Sequence, residues 1–468
     1  MKEAVVLYTG PGLGHLIPMA VLAKRFLNHG FSVTVVTFNH PLNPGKADQD
    51  VSRLSSANST ISFHVLPPVS LDDGYENLEP LTLMRAALAA QNVNLHKFLM
   101  DLSKTSFIQA VVLDLFCPLA LDVASQLSIP AYFFTAFGAS ATAFFLHLLE
   151  LDASSNLSLK DFGENPTNFP GLPPVLASDL PSFLLDRTSD SYKSFVKNLT
   201  SLVKSDGILM NTFASLEPKA ISALREGLCV PSFNMPPVYS IGPLVTESQE
   251  TETERHECLK WLDLQPKGTV VFLCFGSMGG FPPDQIKQIA TGLENSGQRF
   301  LWVVNIAMDP KMMFYNSMSE FELDQILPEG FLNRTKDRGM VVISWAPQIQ
   351  VLNHESVGGF VTHCGWNSIL EAVTAGKPML CWPLYAEQRL NKEILVNELR
   401  LGMTIEGYDR DMVEADEIEA KVRWLMEDEG GRLLKERSKA MKDKAAESFT
   451  EAGPSSQAFM QFLKDLER

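Results

Sequence analysis

The chain has 468 residues, 45% apolar and 20% charged, a soluble globular composition with enough length for two or three domains and no sign of disorder. Lys plus Arg total 39 against 55 Asp plus Glu, a net charge of −16. A chain this acidic lacks the basic field that nucleic-acid backbones require and is repelled by anionic lipid surfaces. A negatively charged substrate would therefore need a focused local site.

Taken in order, the chain opens on a short apolar run, Ala4–Thr9. A glycine turn follows (Gly10-Pro11-Gly12-Leu13-Gly14), then His15 and a helix-like stretch, LIPMAVLAKRFLNHG, and then the strand Ser32–Thr37. Strand, glycine turn, helix and strand within about 35 residues predict a βαβ unit with parallel strands. No secretory leader is expected at this N-terminus, and a cytosolic location follows. The glycine turn does not satisfy G-x-G-x-x-G, and the next strand ends in Thr37-Phe38-Asn39-His40 without an acid to grip a ribose. That argues against a dinucleotide site.

The alternation recurs at Gln109–Asp114, the helix-like PLALDVASQL and the strand AYFFT. The most apolar stretch, Ile129 to Leu149, is interrupted by Pro130, Gly138 and His147, and reads as a buried strand and helix with no membrane span. Residues 245–257 (VTESQETETERHE) are polar and acidic, as expected of a linker between domains. Beyond it come strands at Thr269–Cys274, Arg299–Val304, Met340–Trp345, Gly359–Thr362 and Lys377–Trp382, with a helix predicted over Asp284–Asn295.

The expected organisation is therefore an α/β domain over 1–244, the linker over 245–257, a second α/β domain over 258–446, and a helical tail over 447–468 that can pack back on the first domain. Two such domains facing across a cleft would offer a natural ligand site. Six cysteines without a C-x-x-C pair read as free buried thiols.

Two constellations carry chemistry. His15 follows the first strand at the start of a helix, where parallel sheets place ligands and where the helix dipole favours a neutral imidazole. Asp114 ends the QAVVLD strand, and an aspartate that orients a neutral histidine equips it to take a hydroxyl proton. Alternatively, His15 is a surface or capping residue and Asp114 a strand-end cap. The denser run is Trp345 to Gln388, WAPQIQVLNHESVGGFVTHCGWNSILEAVTAGKPMLCWPLYAEQ. Here a strand stops at Cys364-Gly365 and a helix begins near Asn367-Ser368, with His363 just ahead. The free amides of such a helix start make a diphosphate cradle. Glu371, one turn on, shares the face of Asn367 and Ser368 and suits ribose hydroxyls, while Trp345 offers a face for a base. The same Ser368-x-x-Glu371 spacing is also that of a capping box, a purely structural feature.

The 44-residue run resembles the plant secondary-product glycosyltransferase box of the family-one UDP-glycosyltransferases. The likeness extends to GPGLGHLIPM, VVLDLF, FPGLPPVLASDLP, GILMNTFASLEP, YSIGPL and FLCFGSMGGF, and within the family is greatest to flavonoid, chalcone and phenol O-glucosyltransferases. The resemblance implies the GT-B fold, two Rossmann-like domains, and inverting transfer from UDP-glucose without a metal. It makes His15 the general base and Asp114 its orienting partner. It places Trp345 on uracil and Gln348 on the ribose side, assigns the diphosphate to Ser277, His363, Asn367 and Ser368, and assigns the ribose hydroxyls to Glu371. Trp366, Glu387 and Gln388 would contact the sugar, with Thr135 near its 6-hydroxyl. Ala346 and Gly365 complete the donor set.

In this family Trp at position 366 and Gln at 388 go with glucose, where Arg and His go with glucuronate and galactose. Glu387 stands where many relatives have Asp, and Asn305 where Arg is common. Phe116, Phe133, Phe137 and Phe145 are candidate walls for a planar phenol, against ordinary core packing. Transfer to carbon, nitrogen, sulfur or a carboxylate, or UDP-sugar binding without catalysis, are the competing readings. A monomer that binds no nucleic acid is expected.

Overall fold

A computed structural model describes residues 2–71, 80–246, 255–306 and 323–467. The centre of the predicted linker, 247–254, lies outside the described residues. The chain divides into two compact units, Met1–Thr246 with Glu447–Arg468, and Glu247–Ala446.

Among the described residues the first unit is built on seven strands: β1 (Lys2–Tyr8), β2 (Ser32–Phe38), β3 (Ser62–Leu66), β4 (Ser106–Asp114), β5 (Ala131–Thr135), β6 (Gly207–Met210) and β7 (Val238–Ser240). All pair in parallel in the order β3-β2-β1-β4-β5-β6-β7. Runs such as Ala4–Tyr8 are buried on both faces, which is why they read as continuous apolar segments without alternation. Helix α1 (Leu13–Asn28) follows β1, and α2 (Ala139–Ser154) follows β5.

The second unit repeats the plan with six parallel strands: β8 (Val270–Cys274), β9 (Arg299–Val304), β10 (Gly339–Ile343), β11 (Val357–Thr362), β12 (Met379–Cys381) and β13 (Gly402–Thr404). Their order is β10-β9-β8-β11-β12-β13, the doubly wound pattern in which strand order reverses once. Helices α3 (Gln348–Asn353), α4 (Trp366–Ala375) and α5 (Gln388–Glu393) carry the residues singled out above.

The final helix, α6 (Pro454–Leu466), belongs to the first unit. Its Phe459, Phe462, Leu463 and Leu466 join the core formed by Val5, Leu7, Phe26 and Phe134. Phe459 meets Phe26 edge-on with ring centroids 5.3 Å apart, and Phe462 meets Tyr132 at 4.9 Å. The Arg25 guanidinium donates to the Ile241 carbonyl at 2.6 Å and lies 4.4 Å from the Phe459 ring centre, fastening the tail to α1.

Three local expectations need correction. The strand expected over Met340–Trp345 ends at Ile343, because Ser344 takes φ +66° and the Trp345 amide turns back to the Ile343 carbonyl at 2.7 Å. Helix α1 starts at Leu13, three residues before the helix-like stretch read from the sequence, and His15 lies in its first turn, at the helix start as expected. The Ser368–Glu371 pair is not a capping box: the residue ahead of α4 is Gly365, with no side-chain cap, and Ser368 is the third helical residue.

Candidate active site

Each sheet has one switch point, where neighbouring strands send their connections to opposite sides and backbone groups fan outward. In the first unit it lies between β1 and β4, and in the second between β8 and β11. His15, Asp114, Ser277, His363 and the start of α4, all singled out in the sequence, lie at or just past the ends of these four strands, while Trp345 and Gln348 follow β10, and Glu387 and Gln388 follow β12.

At the first switch point His15 Nδ1 lies 2.8 Å from Asp114 Oδ2. The carboxylate is 1% exposed and the imidazole 25%. Asp114 Oδ1 accepts the amide of Phe116 at 2.8 Å, a turn that locks the carboxylate's rotation. With Nδ1–H donating to the aspartate, the lone pair of the neutral ring belongs to Nε2.

An aromatic chain runs from the imidazole. Phe116 meets His15 at 5.1 Å between centroids and Phe137 meets it at 6.3 Å, both edge-on. Phe137 packs on Phe145 at 5.7 Å, and Phe145 on Phe195 at 5.0 Å. Thus Phe116, Phe137 and Phe145 form one continuous wall beside His15, with Phe195 an addition that sequence reading missed. Phe133 is fully buried on β5. Thr135 is also fully buried, its hydroxyl 3.4 Å from that of Thr142.

Helix α2, which carries Phe145, is capped from a distance. The Glu217 carboxylate accepts the amides of Ala139 and Ser140 at 2.7 and 2.8 Å, and the Thr212 hydroxyl at 2.6 Å. Burial raises its pKa, and those hydrogen bonds together with the helix N-terminus oppose the rise. Thr212 is five residues before Glu217, but the two α2 amides lie 78 and 77 positions away, so no short-range signal marks its role as the cap of α2.

At the second switch point the His363 ring is enclosed by backbone. A Cβ at Gly276 would lie 2.6 Å from His363 Nε2, and one at Gly365 2.5 Å from it, so both positions require glycine. This explains the glycines of Phe275-Gly276-Ser277 and Cys364-Gly365-Trp366. His363 is buried, and desolvation lowers its pKa to about 4, so the ring is neutral at neutral pH. Its Nδ1 has no hydrogen-bond partner among the described residues, an unmet polar atom of the kind a ligand satisfies. Ser277 is exposed just past Gly276. Asn305 donates from Nδ2 to the Gly276 carbonyl at 3.3 Å, which ties the end of β9 to this loop and gives the unexpected Asn a structural part.

Helix α4 opens there with Trp366, Asn367 and Ser368, with no acid in its first turn to compete for its amides. Gln348 Nε2 donates both to Ser368 Oγ at 2.8 Å and to Glu371 Oε2 at 2.7 Å, making one polar platform of α3 and α4. Desolvation raises the Glu371 pKa to about 7, partly offset by Gln348. Trp345 is 55% exposed, with His256 edge-on at 5.7 Å, and Ala346 beside it is buried.

Glu387 and Gln388 begin α5, and both are buried. Gln388 Oε1 accepts the amides of Leu384 and Tyr385 at 2.8 and 2.9 Å, which turns its NH2 group into the donor end. Asn391, missed in the sequence although it lies four residues past Glu387 on the same helix face, donates to Glu387 Oε1 at 3.2 Å and to the Cys364 carbonyl at 2.9 Å. Among the described residues no group of three or more His, Cys, Asp or Glu is placed to hold a metal ion, and no helix is long and apolar enough to cross a membrane.

Comparison with known proteins gives this geometry a family. The model for "UDP-glucoronosyl and UDP-glucosyl transferase" matches residues 32–430. The chain is 41% identical to a phloretin 2'-O-glucosyltransferase of Malus domestica over the full length of both. It is 42% identical to an anthocyanidin 5,3-O-glucosyltransferase of a Rosa hybrid cultivar, covering 97% of this chain and 96% of that one. The structure of Phytolacca americana UGT2 complexed with UDP-2fluoro-glucose and pterostilbene superposes with a TM-score of 0.87 at 34% identity, over all of both chains. The chain belongs to the UDP-glycosyltransferase family. It has the GT-B fold class and is a UDP-dependent glycosyltransferase.

Proposed function

We propose that this enzyme transfers glucose from UDP-glucose to a hydroxyl of a small aromatic acceptor, inverting the anomeric centre. The observation that carries the reading is the 2.8 Å His15–Asp114 contact at the first switch point, set against a phenyl wall. His15 Nε2 takes the proton of the acceptor hydroxyl, and the acceptor oxygen attacks C1 of glucose as the bond from C1 to the β-phosphate oxygen breaks. Asp114 stabilises the imidazolium that forms. Phe116, Phe137 and Phe145, packed edge to face, supply the apolar, aromatic surroundings a phenol ring needs.

The second unit holds the donor. Trp345 stacks on uracil with Ala346 alongside, Gln348 and Glu371 take the ribose hydroxyls, and the diphosphate rests on Ser277, His363, Gly365, Asn367 and Ser368. The amides and dipole of α4 stabilise the charge that develops on departing UDP, the part a metal plays elsewhere, so we assign no metal. Trp366, Glu387 and Gln388 address the sugar, and Trp366 with Gln388 favours glucose. Relatives named for phloretin and anthocyanidin, and a relative solved with pterostilbene, support a planar polyphenol as acceptor. The six cysteines are all free and buried, which supports action in a reducing cytosol, and we read the enzyme as a monomer.

The test is an acceptor panel of dihydrochalcones, anthocyanidins, stilbenes and simple phenols with UDP-glucose, UDP-galactose and UDP-glucuronate, read by mass spectrometry. An O-glucoside that resists alkali and yields to acid is expected, with UDP-glucose preferred. Donor binding without UDP release across the panel overturns the proposal.

A further inference from the structure

Asn391 is fully buried, and its one NH2 group makes two bonds that lead in different chemical directions. One reaches the carboxylate of Glu387, at 3.2 Å, the residue given to the sugar. The other reaches the carbonyl of Cys364, at 2.9 Å. Cys364 is itself unusual: a buried non-glycine residue at φ +65°, in the sparsely populated left-handed region. It sits between the end of β11 and the Gly365 cap of α4. Such a conformation persists only where its surroundings enforce it. Here Thr362 Oγ1 accepts the Cys364 amide at 3.2 Å, and Asn391 anchors the carbonyl on the other side.

Because a peptide unit is planar, fixing the Cys364 carbonyl also fixes the direction of the Gly365 N–H that opens α4. The same amide group therefore sets both the opening of the diphosphate cradle and the position of the sugar-facing acid. The Glu387 side chain has three rotatable torsions, and the bond from Asn391 restrains them.

We propose that Asn391 is a positioning residue that couples the sugar subsite at Glu387 to the diphosphate cradle at Cys364–Gly365. The proposal rests on the reading of Glu387 as a sugar contact. Through Glu387 it sharpens the choice of hexose, and through Cys364 it tunes affinity for the nucleotide.

The experiment uses the full-length protein with Asn391→Ala, Asn391→Asp, Glu387→Ala and the double variant N391A/E387A. UDP affinity is measured by calorimetry, and kcat and KM with UDP-glucose and UDP-galactose. Loss of a buried bond to a charged partner predicts a glucose preference reduced about tenfold in Asn391→Ala, with UDP affinity weakened several-fold. In the Glu387→Ala background the same change should leave the hexose ratio unaltered while still weakening UDP. Asn391→Asp keeps the volume but sets a second carboxylate against Glu387 and the carbonyl, so it should be worse than Ala. A role in packing alone gives the reverse order, since Ala leaves the larger hole.

A hexose ratio that Asn391→Ala does not change, or changes equally with and without Glu387, overturns the coupling. Should Asn391→Ala fail to fold, Asn391→Asp is measured with and without Glu387→Ala instead: a hexose ratio altered only when Glu387 is present upholds the coupling, and one altered equally in both, or in neither, overturns it. An unchanged kcat/KM for UDP-glucose in Glu387→Ala would instead sink the assignment of Glu387, a separable result.

Discussion

At the switch point of the first unit, one imidazole–carboxylate contact stands among phenyl rings; at that of the second, a neutral histidine, a helix start and a web of amides and carboxylates share the work. Under the proposed function, the difference matches the charges each site would handle. A phenol proton needs a single base with a fixed tautomer and an apolar surface, so one hydrogen bond and several rings suffice. A nucleoside diphosphate spreads charge and hydroxyls over many atoms, and only many converging donors match it.

The contrast breaks most sharply at His15. His15→Ala should lower kcat by about 10²–10⁴-fold while UDP still binds as in wild type, measured by turnover and calorimetry. Equal losses in both readouts would mean that the two sites are not chemically separable. The counterpart is Glu371→Ala, expected to weaken UDP-glucose about tenfold to a hundredfold through lost ribose bonds, with the KM for acceptor unchanged.

Next in size is Glu217→Ala, which orphans two α2 amides and the Thr212 hydroxyl and should cost about 2–4 kcal/mol of stability, seen as a lower thermal midpoint. Glu217→Gln should be milder, since its side-chain carbonyl oxygen still accepts a hydrogen bond.

The smallest effect is a pH dependence that sharpens the donor side. With a Glu371 pKa raised from 4.5 to about 7, the folded protein holds this proton more tightly than the unfolded chain. Ligand-free stability should therefore fall as pH rises from about 4.5 to about 7, and Glu371→Gln should flatten that slope. Donor binding should move the other way, with KM for UDP-glucose increasing as pH drops below about 7, because the charged carboxylate is the better acceptor for ribose hydroxyls. A KM profile that Glu371→Gln leaves unaltered would take this carboxylate out of donor recognition.

Much of this was legible in the chain alone. Apolar runs cut by glycine turns gave the alternation of strand and helix, since parallel strands covered on both faces keep no polar positions. The proposed donor side could be put forward from sequence because most of its residues, from Trp345 to Gln388, lie in one contiguous stretch, with a strand end, a glycine and a helix start in fixed succession. His15 and Asp114 could be guessed individually from their places at strand ends.

Other features needed the folded chain. The capping box suggested by Ser368 and Glu371 gave way to a bridge from Gln348, because the helix begins three residues earlier at a glycine and its polar side chains turn to α3. Phe195 and Glu217 act on partners far away in sequence, and local spacing holds no record of that. The part played by Asn391 appears only when α5 is laid beside the end of β11. Local composition and periodicity determine where backbone hydrogen bonds form, and so fix strands and helices to within a few residues of their ends. Which side chains then meet at 2.8 Å depends on the register and order of strands in a sheet, which tertiary packing alone decides.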